Sequence, residues 1–331
     1  MFRPLLLFFS LEAALRTVQG SAEAPLRVET FVHQDVSLNM VSSLVIGSEA
    51  AIIVDLPLTI SSAESLILWV REKTEKPVVG MFASHNHPDH YLSARVCLDA
   101  FPNATFYASP TASEGIATGA PLTSAYWTSI LSPSEIVQNA SAPVPYNFTF
   151  FALPGDPRHP IHLIQPLTGD TVDETLFWLP SSRTLIAGDT VYGSQMHLFM
   201  ADMLTPALTA SWISTLDLLL ALDPKTVIPG HSLSGESFDG AGDLDYTRKY
   251  LAFWQCDVES KGPDFYTPQE LYALLNERFP GRLGATSQFL LNMTAENFGR
   301  GGTRFGHFID FTAFDSREAL DGWELQARQQ A

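Results

Sequence analysis

From residue 26 onward, apolar positions fall into short blocks at residues 28–32, 40–47 and 51–55, with Gly47 and Ser48 as a turn between the last two. Blocks this close together, rich in β-branched residues, predict an antiparallel meander. The period then changes. Ala63, Leu66, Leu68 and Val70 recur among charges over residues 61–76, which predicts a helix opening at a serine cap. A buried strand is expected at 77–83, a helix at 91–100, a strand at 105–109 and mostly helix over 111–137.

A second strand set occupies residues 147–153, 161–167, 175–179 and 184–187, with Pro180, Ser181 and Ser182 as a hairpin turn. A helix over 210–222 leads to one more short strand at 226–228. Past about residue 240, helices are expected over 246–258 and 269–279, followed by a glycine-rich tail at 299–306. Strand sets alternating with helices predict an α/β protein with mixed sheets. The organisation expected is a leader over residues 1–22, a catalytic-type domain over 23–240, and a mostly helical extension over 241–331 packed on it as a lid or pocket wall.

Composition narrows the class. The chain has 331 residues, 46% hydrophobic and only 17% charged, so it can bury a sizeable core and intrinsic disorder is excluded. A formal charge of −17 repels phosphate backbones and anionic lipid, which argues against nucleic-acid partners. Arg3, an apolar run over residues 5–15 and the small residues Gly20, Ser21 and Ala22 read as a secretory signal peptide, too short to span a bilayer. Four of the eight asparagines, Asn103, Asn139, Asn147 and Asn292, begin N-x-[ST] triplets. The expectation is a secreted glycoprotein with no membrane attachment once the signal is removed. Cys97 and Cys256 could pair in that compartment or remain free thiols.

The chemistry concentrates in Ser84-His85-Asn86-His87-Pro88-Asp89-His90, directly after the buried strand of 77–83. In extended backbone, residues two apart face the same side, so His85 and His87 can share one metal while Asp89 and His90 turn toward a second.

This H-x-H-x-D-H run resembles the defining motif of the metallo-β-lactamase superfamily, and the family's other marks follow in order. Asp55 ends a strand in Ile53-Val54-Asp55, Asp189 follows one in Ala187-Gly188-Asp189, and His231 follows one in Ile228-Pro229-Gly230-His231. The resemblance implies an αββα sandwich of two mixed β-sheets flanked by helices, with a two-metal site at the sheet edges. It implies that His85 and His87 bind metal one, that Asp89, His90 and His231 bind metal two, that Asp189 bridges, and that Asp55 orients the histidines from behind.

Where the family places a third metal-one histidine, counting back from Asp189 reaches Asp170. His162 is a rival that breaks the spacing. Two Zn²⁺ per chain are implied, and a carboxylate at position 170 shifts preference toward Mn²⁺ or Fe²⁺. The implied reaction is attack of a metal-activated water on an ester, lactone or thioester of an apolar small molecule, with Asp89 as proton shuttle. Tyr192, three residues after Asp189, is similar in placement to a substrate-contacting tyrosine of the superfamily's lactonases and would donate a hydrogen bond to the substrate. Met196, Phe199 and Met203 are candidates for an apolar pocket. Three other readings stand beside this one: a metal-dependent lyase or isomerase, a non-catalytic fold relative, and a serine hydrolase using Gly230-His231-Ser232 as a nucleophile elbow.

Overall fold

The computed structural model describes residues 26–202, 205–233, 237–282 and 284–303. The leader, Met203 and the part of the C-terminal extension after residue 303 lie outside the described residues.

The elements are, in order, β1 (Arg27–Val32), β2 (Val41–Ile46), β3 (Ala51–Val54), α1 (Ile60–Lys73), β4 (Val78–Phe82), α2 (Ala94–Ala100), β5 (Thr105–Ala108), α3 (Pro110–Ile130) and β6 (Val144–Pro145). They continue as β7 (Phe150–Phe151), β8 (Ile161–Leu167), β9 (Glu174–Leu179), β10 (Thr184–Ile186), α4 (Pro206–Ala221), β11 (Thr226–Ile228), α5 (Gly242–Phe253), α6 (Pro268–Arg278) and α7 (Ala285–Phe298). Strands β1 to β6 form a six-stranded sheet in sequence order, and the second sheet runs β11-β10-β9-β8-β7. Both are mixed: β1, β2 and β3 pair antiparallel and β3, β4 and β5 parallel, while β10 is antiparallel to β9 and parallel to β11.

Side-chain alternation sorts each strand between two layers. In β3, Ile52 and Val54 join Phe82, Ile161, Phe177 and Ile228 in the core between the sheets. Ala51 and Ile53 face the other way, against Ala63, Leu66 and Val70 of α1 and Ile116 of α3. On the far side, Leu176, Leu185 and Val227 pack under Trp212 and Leu216 of α4, with Tyr250 of α5, Leu271 of α6 and Leu291 of α7. The result is an αββα sandwich, helices α1 to α3 covering one sheet and α4 to α7 the other.

Several details differ from expectation for local reasons. Helix α1 is capped by Thr59, whose hydroxyl accepts from the Ser62 amide at 3.3 Å, rather than by a serine. Residues 88–90 form a separate 3₁₀ turn, so α2 starts at Ala94. Helix α3 stops at Ile130, just before Ser132-Pro133, where the residue preceding proline resists helical backbone. Strand β7 is two residues long. Helix α7 was not expected. Its apolar residues serve two layers, Leu290 and Leu291 in one core and Phe289 against both, so no single amphipathic stripe marks it. Cys97 is buried in α2 and Cys256 is exposed; they do not pair. No helix among the described residues is long and apolar enough to cross a membrane.

Helix α5 carries a pH-sensitive contact. The buried His197 ring lies 3.1 Å from the Tyr250 hydroxyl and 3.3 Å from Asn276 Oδ1, and burial lowers its pKa to about 4. Between that value and the ordinary 6.5 the unfolded chain binds more protons than the folded one, so stability rises with pH across the window. Acidification from pH 7 to 4 is expected to remove about 3 kcal/mol through this group. Urea unfolding across that range checks it, because a His197→Gln chain should lack this share of the pH dependence.

Candidate metal centre

The site lies where strand ends converge. β3 and β4 are parallel neighbours in register at Val54 and Phe82, so Asp55 and the Ser84-His85 step leave the sheet side by side. β10 and β11 are parallel neighbours in register at Ile186 and Ile228, which places Asp189 and His231 together beyond the second sheet. Asp170 comes from the hairpin between β8 and β9.

Two groups of metal-type side chains result: His85, His87, Asp170 and Asp189, and Asp89, His90 and His231. Asp189 joins them. Its carboxylate is 4.0 Å from His85 Nε2, 3.2 Å from His90 Nε2 and 3.0 Å from His231 Nε2. Asp170 is 3.9 Å from His85 Nε2 and 3.3 Å from His87 Nδ1. Asp89 is 3.3 Å from His231 Nε2 and 3.9 Å from His90 Nε2.

Each histidine presents one nitrogen inward and turns the other toward a polar group behind it. His85 Nδ1 is 2.9 Å from Ser84 Oγ and 3.5 Å from Glu174 Oε1. His87 Nε2 sits 2.8 Å from Asp202 Oδ2, His90 Nδ1 3.0 Å from Asp55 Oδ2, and His231 Nδ1 2.7 Å from the Leu38 carbonyl. Such acceptors fix ring orientation and tautomer. Asp55 also accepts from the Ser84 amide at 2.7 Å and the Ser84 hydroxyl at 3.0 Å, which holds its backbone at a φ of 65°, a left-handed conformation that aspartate tolerates.

Close packing demands glycine at two points. A Cβ on Gly230 would run into Asp189 Oδ1, and one on Gly188, at a φ of 50°, would meet Ser84 Oγ and Glu174 Oε2.

The electrostatics are those of crowded, buried charge. Burial pushes the Asp170 carboxyl up to about 6 and Glu174 well above its usual range, the latter also through the neighbouring Asp170 and Asp189. Burial opposes ionisation of Asp189 as well, but His231 and His90 outweigh it and hold the carboxyl well below normal. His85 is driven well below 6.5 by burial and by His90 and His87. Against the same burial, Asp170 and Asp202 raise His87, and Asp189 and Asp55 raise His90.

The donors fit divalent cations. His85 Nε2, His90 Nε2, Asp170 Oδ1 and Asp189 Oδ1 are buried and make no hydrogen bond within the protein, an arrangement that is costly unless an ion pairs them. The set is imidazole and carboxylate with no thiolate, suited to Zn²⁺ and also to Mn²⁺ or Fe²⁺.

The remaining candidates fall in different places. The buried Tyr192 hydroxyl lies 2.8 Å from Asp170 Oδ2 and 3.0 Å from Asp189 Oδ2, so its proton goes to these carboxylates. His162 lies in β8 beside Phe150 and outside both groups. Ser232 Oγ faces Gln195, and both ring nitrogens of His231 are engaged elsewhere, which leaves the elbow serine no histidine base from that neighbour. Phe199 lines the cavity above the site, whereas Met196 is core. Glu174 and Asp202 were missed in the sequence. Neither belongs to a motif, and only the folded hairpin and the loop after Phe199 bring them behind His85 and His87.

An αββα sandwich with paired histidine and carboxylate groups at its strand ends defines a class, and sequence comparison gives the family. The model of the metallo-beta-lactamase superfamily matches residues 37–231, well over half of the chain, so the protein belongs to that superfamily. The fold is similar to that of the metallo-β-lactamase FIM-1 from Pseudomonas aeruginosa in its mono-zinc form, at 14% identity and a TM-score of 0.48, covering 71% of this chain and 98% of that one. A metallo-β-lactamase from Pontibacter korlensis is similar at 18% identity and a TM-score of 0.45, covering 70% and 97%. The metallo-β-lactamase IND-7 is similar at 18% and 0.47, covering 70% and 96%. No curated protein matches the chain.

Proposed function

We propose that the protein is a metal-dependent hydrolase of an ester, lactone or thioester of an apolar small molecule. One observation supports the reading: both metal-type groups contribute to the floor of a single cavity whose walls are apolar and, among the described residues, carry no lysine or arginine. Such walls offer no side-chain cation of the kind that would anchor the carboxylate of a lactam substrate.

His85, His87, Asp170 and Asp189 would hold one cation, and Asp89, His90 and His231 the other, with Asp189 between them. Divalent cations held there would supply Lewis acidity and lower the pKa of a bound water toward neutrality. The chain's own groups do the rest. Asp55, Asp202, Glu174 with Ser84, and the Leu38 carbonyl aim the four imidazoles. Tyr192 keeps Asp170 and Asp189 together by hydrogen bonding. Asp89, on the cavity floor and 6% exposed, is placed to hold a proton for the leaving group.

The test is metal content by mass spectrometry on protein purified without chelator, beside Asp170→Ala. About two ions per chain falling to about one in the variant is the expected result. A parent chain without metal would end the hydrolase reading in favour of a non-catalytic relative. Solvent oxygen in the product separates hydrolysis from lyase or isomerase chemistry.

The protein is further proposed to enter the secretory pathway and to carry glycans. All four sequon asparagines, Asn103, Asn139, Asn147 and Asn292, are exposed in the folded chain, as sugar attachment requires. Protein made in a glycosylating secretory host is expected to lose mass on endoglycosidase treatment; an unchanged mass would count against this assignment.

A further inference from the structure

The cavity above the metal-type groups has a volume of about 100 Å³. Its walls come from two helices and a loop: Tyr126 and Trp127 from the end of α3, Phe289, Leu290 and Met293 from α7, and Phe199 after the Tyr192 turn. The α7 residues lie at i, i+1 and i+4, so one helix face supplies them all. They fall outside residues 37–231, the part of the chain that the family model covers. The α7 side of this wall is therefore contributed by a part of the chain that the family model does not cover.

The wall is built of ring faces and edges. Trp127 and Phe289 have centroids 6.3 Å apart and tilted by 52°, Tyr126 stands edge-on to Trp127 at 5.6 Å, and Phe199 edge-on to His87 at 5.5 Å. Aromatic rings prefer offset and edge-to-face partners, and a methionine thioether adds a favourable sulfur contact, so a guest ring finds partners on several sides. The ionisable lining residues, His87, His231, Asp89, Asp170, Asp189 and Asp202, belong to the metal-type groups or stand directly behind them, and the aromatic wall carries none. An anionic group on the part of the guest that meets this wall finds no lysine or arginine among the described residues.

Resting on the hydrolase reading above, we infer that α7 and the end of α3 form the specificity wall, and that they select an uncharged aromatic group on the substrate. Phe289 and Met293 are its specificity-determining residues.

The experiment measures binding separately from turnover. Isothermal titration of the metal-loaded full chain uses benzylacetone, an uncharged aryl ketone that cannot be hydrolysed. It is compared with its para-sulfonate derivative, whose anionic group is a poor ligand for divalent cations, and with a straight-chain methyl ketone of equal carbon count. Benzylacetone is expected to bind at least about tenfold more tightly than either. Phe289→Ala is expected to weaken it about tenfold, and Phe289→Leu, which keeps bulk and loses the ring, by less. Leu122→Ala, on α3 with its side chain exposed to solvent, should leave binding unchanged. Thermal midpoints confirm that each variant is folded, and Phe289→Leu retains the test if Phe289→Ala does not fold.

Equal binding of the sulfonate or the alkyl ketone, or no effect in folded Phe289 variants, overturns the inference. Hydrolysis of ethyl hydrocinnamate is scored separately. Its absence alongside the expected binding pattern would count against the hydrolase reading and leave the wall standing. Hydrolysis indifferent to Phe289 would do the reverse.

Discussion

Asp189→Ala is expected to abolish retention of metal at both groups and to reduce metal affinity by more than about a hundredfold. The carboxylate is within 4.0 Å of inward nitrogens on three histidines drawn from both groups, so its removal leaves each group without its shared anion. Losing an outer acceptor typically costs about 10–100-fold in metal affinity or activity, and a bridging anion should cost more. Asp202→Asn, which weakens the acceptor behind His87, is expected to fall within that smaller range. Metal analysis after exhaustive dialysis, together with turnover of an aryl ester, checks both variants. Full retention of two ions by Asp189→Ala would show that Asp189 is not the shared ligand.

Trp212→Ala is expected to be the most destabilising single substitution considered, at about 3–5 kcal/mol. The indole is fully buried among Leu216, Leu219 and Tyr250, and its Nε1 donates to the Thr190 carbonyl at 2.9 Å. Truncation therefore opens a cavity and also strips a buried carbonyl of its donor. Thr190 directly follows Asp189, so the loss should reach the metal-type groups as well as the core. Trp212→Phe keeps most of the volume and is expected to lose about 1–2 kcal/mol. Chemical denaturation followed by the remaining tryptophans gives both values; both variants lack the indole donor, so equal losses would remove the cavity from the account and leave the hydrogen bond. A loss of this size is a large part of the 5–15 kcal/mol typical of a domain.

Much of the architecture was legible because burial in a sandwich imposes period two on its strands. The parity of Ala51, Ile52, Ile53 and Val54 could be read directly, and so could the hairpin of β9 and β10 around Pro180. The histidine run was legible because it is local: two residues in extended backbone share a face whatever the rest of the chain does. Asp189 and His231 follow short strands, and their convergence depends on those strands being parallel neighbours, which only the family resemblance implied.

Helix α7 was not legible. A helix wedged between layers is apolar on more than one face and loses the stripe that betrays a surface helix. Glu174 and Asp202 were missed for a different reason: an acceptor behind a ligand needs only to be near it in space, and no spacing in the chain encodes that.

Phe289 packs against the core clusters on both outer faces of the sandwich. Leu290 of the same helix lines the cavity and is also buried in the core of the second sheet. Residues 285–298 thus serve at once as a seam between the two outer layers and as a wall of the cavity, so a substitution made there to change the guest is also a substitution in the packing of the whole sandwich.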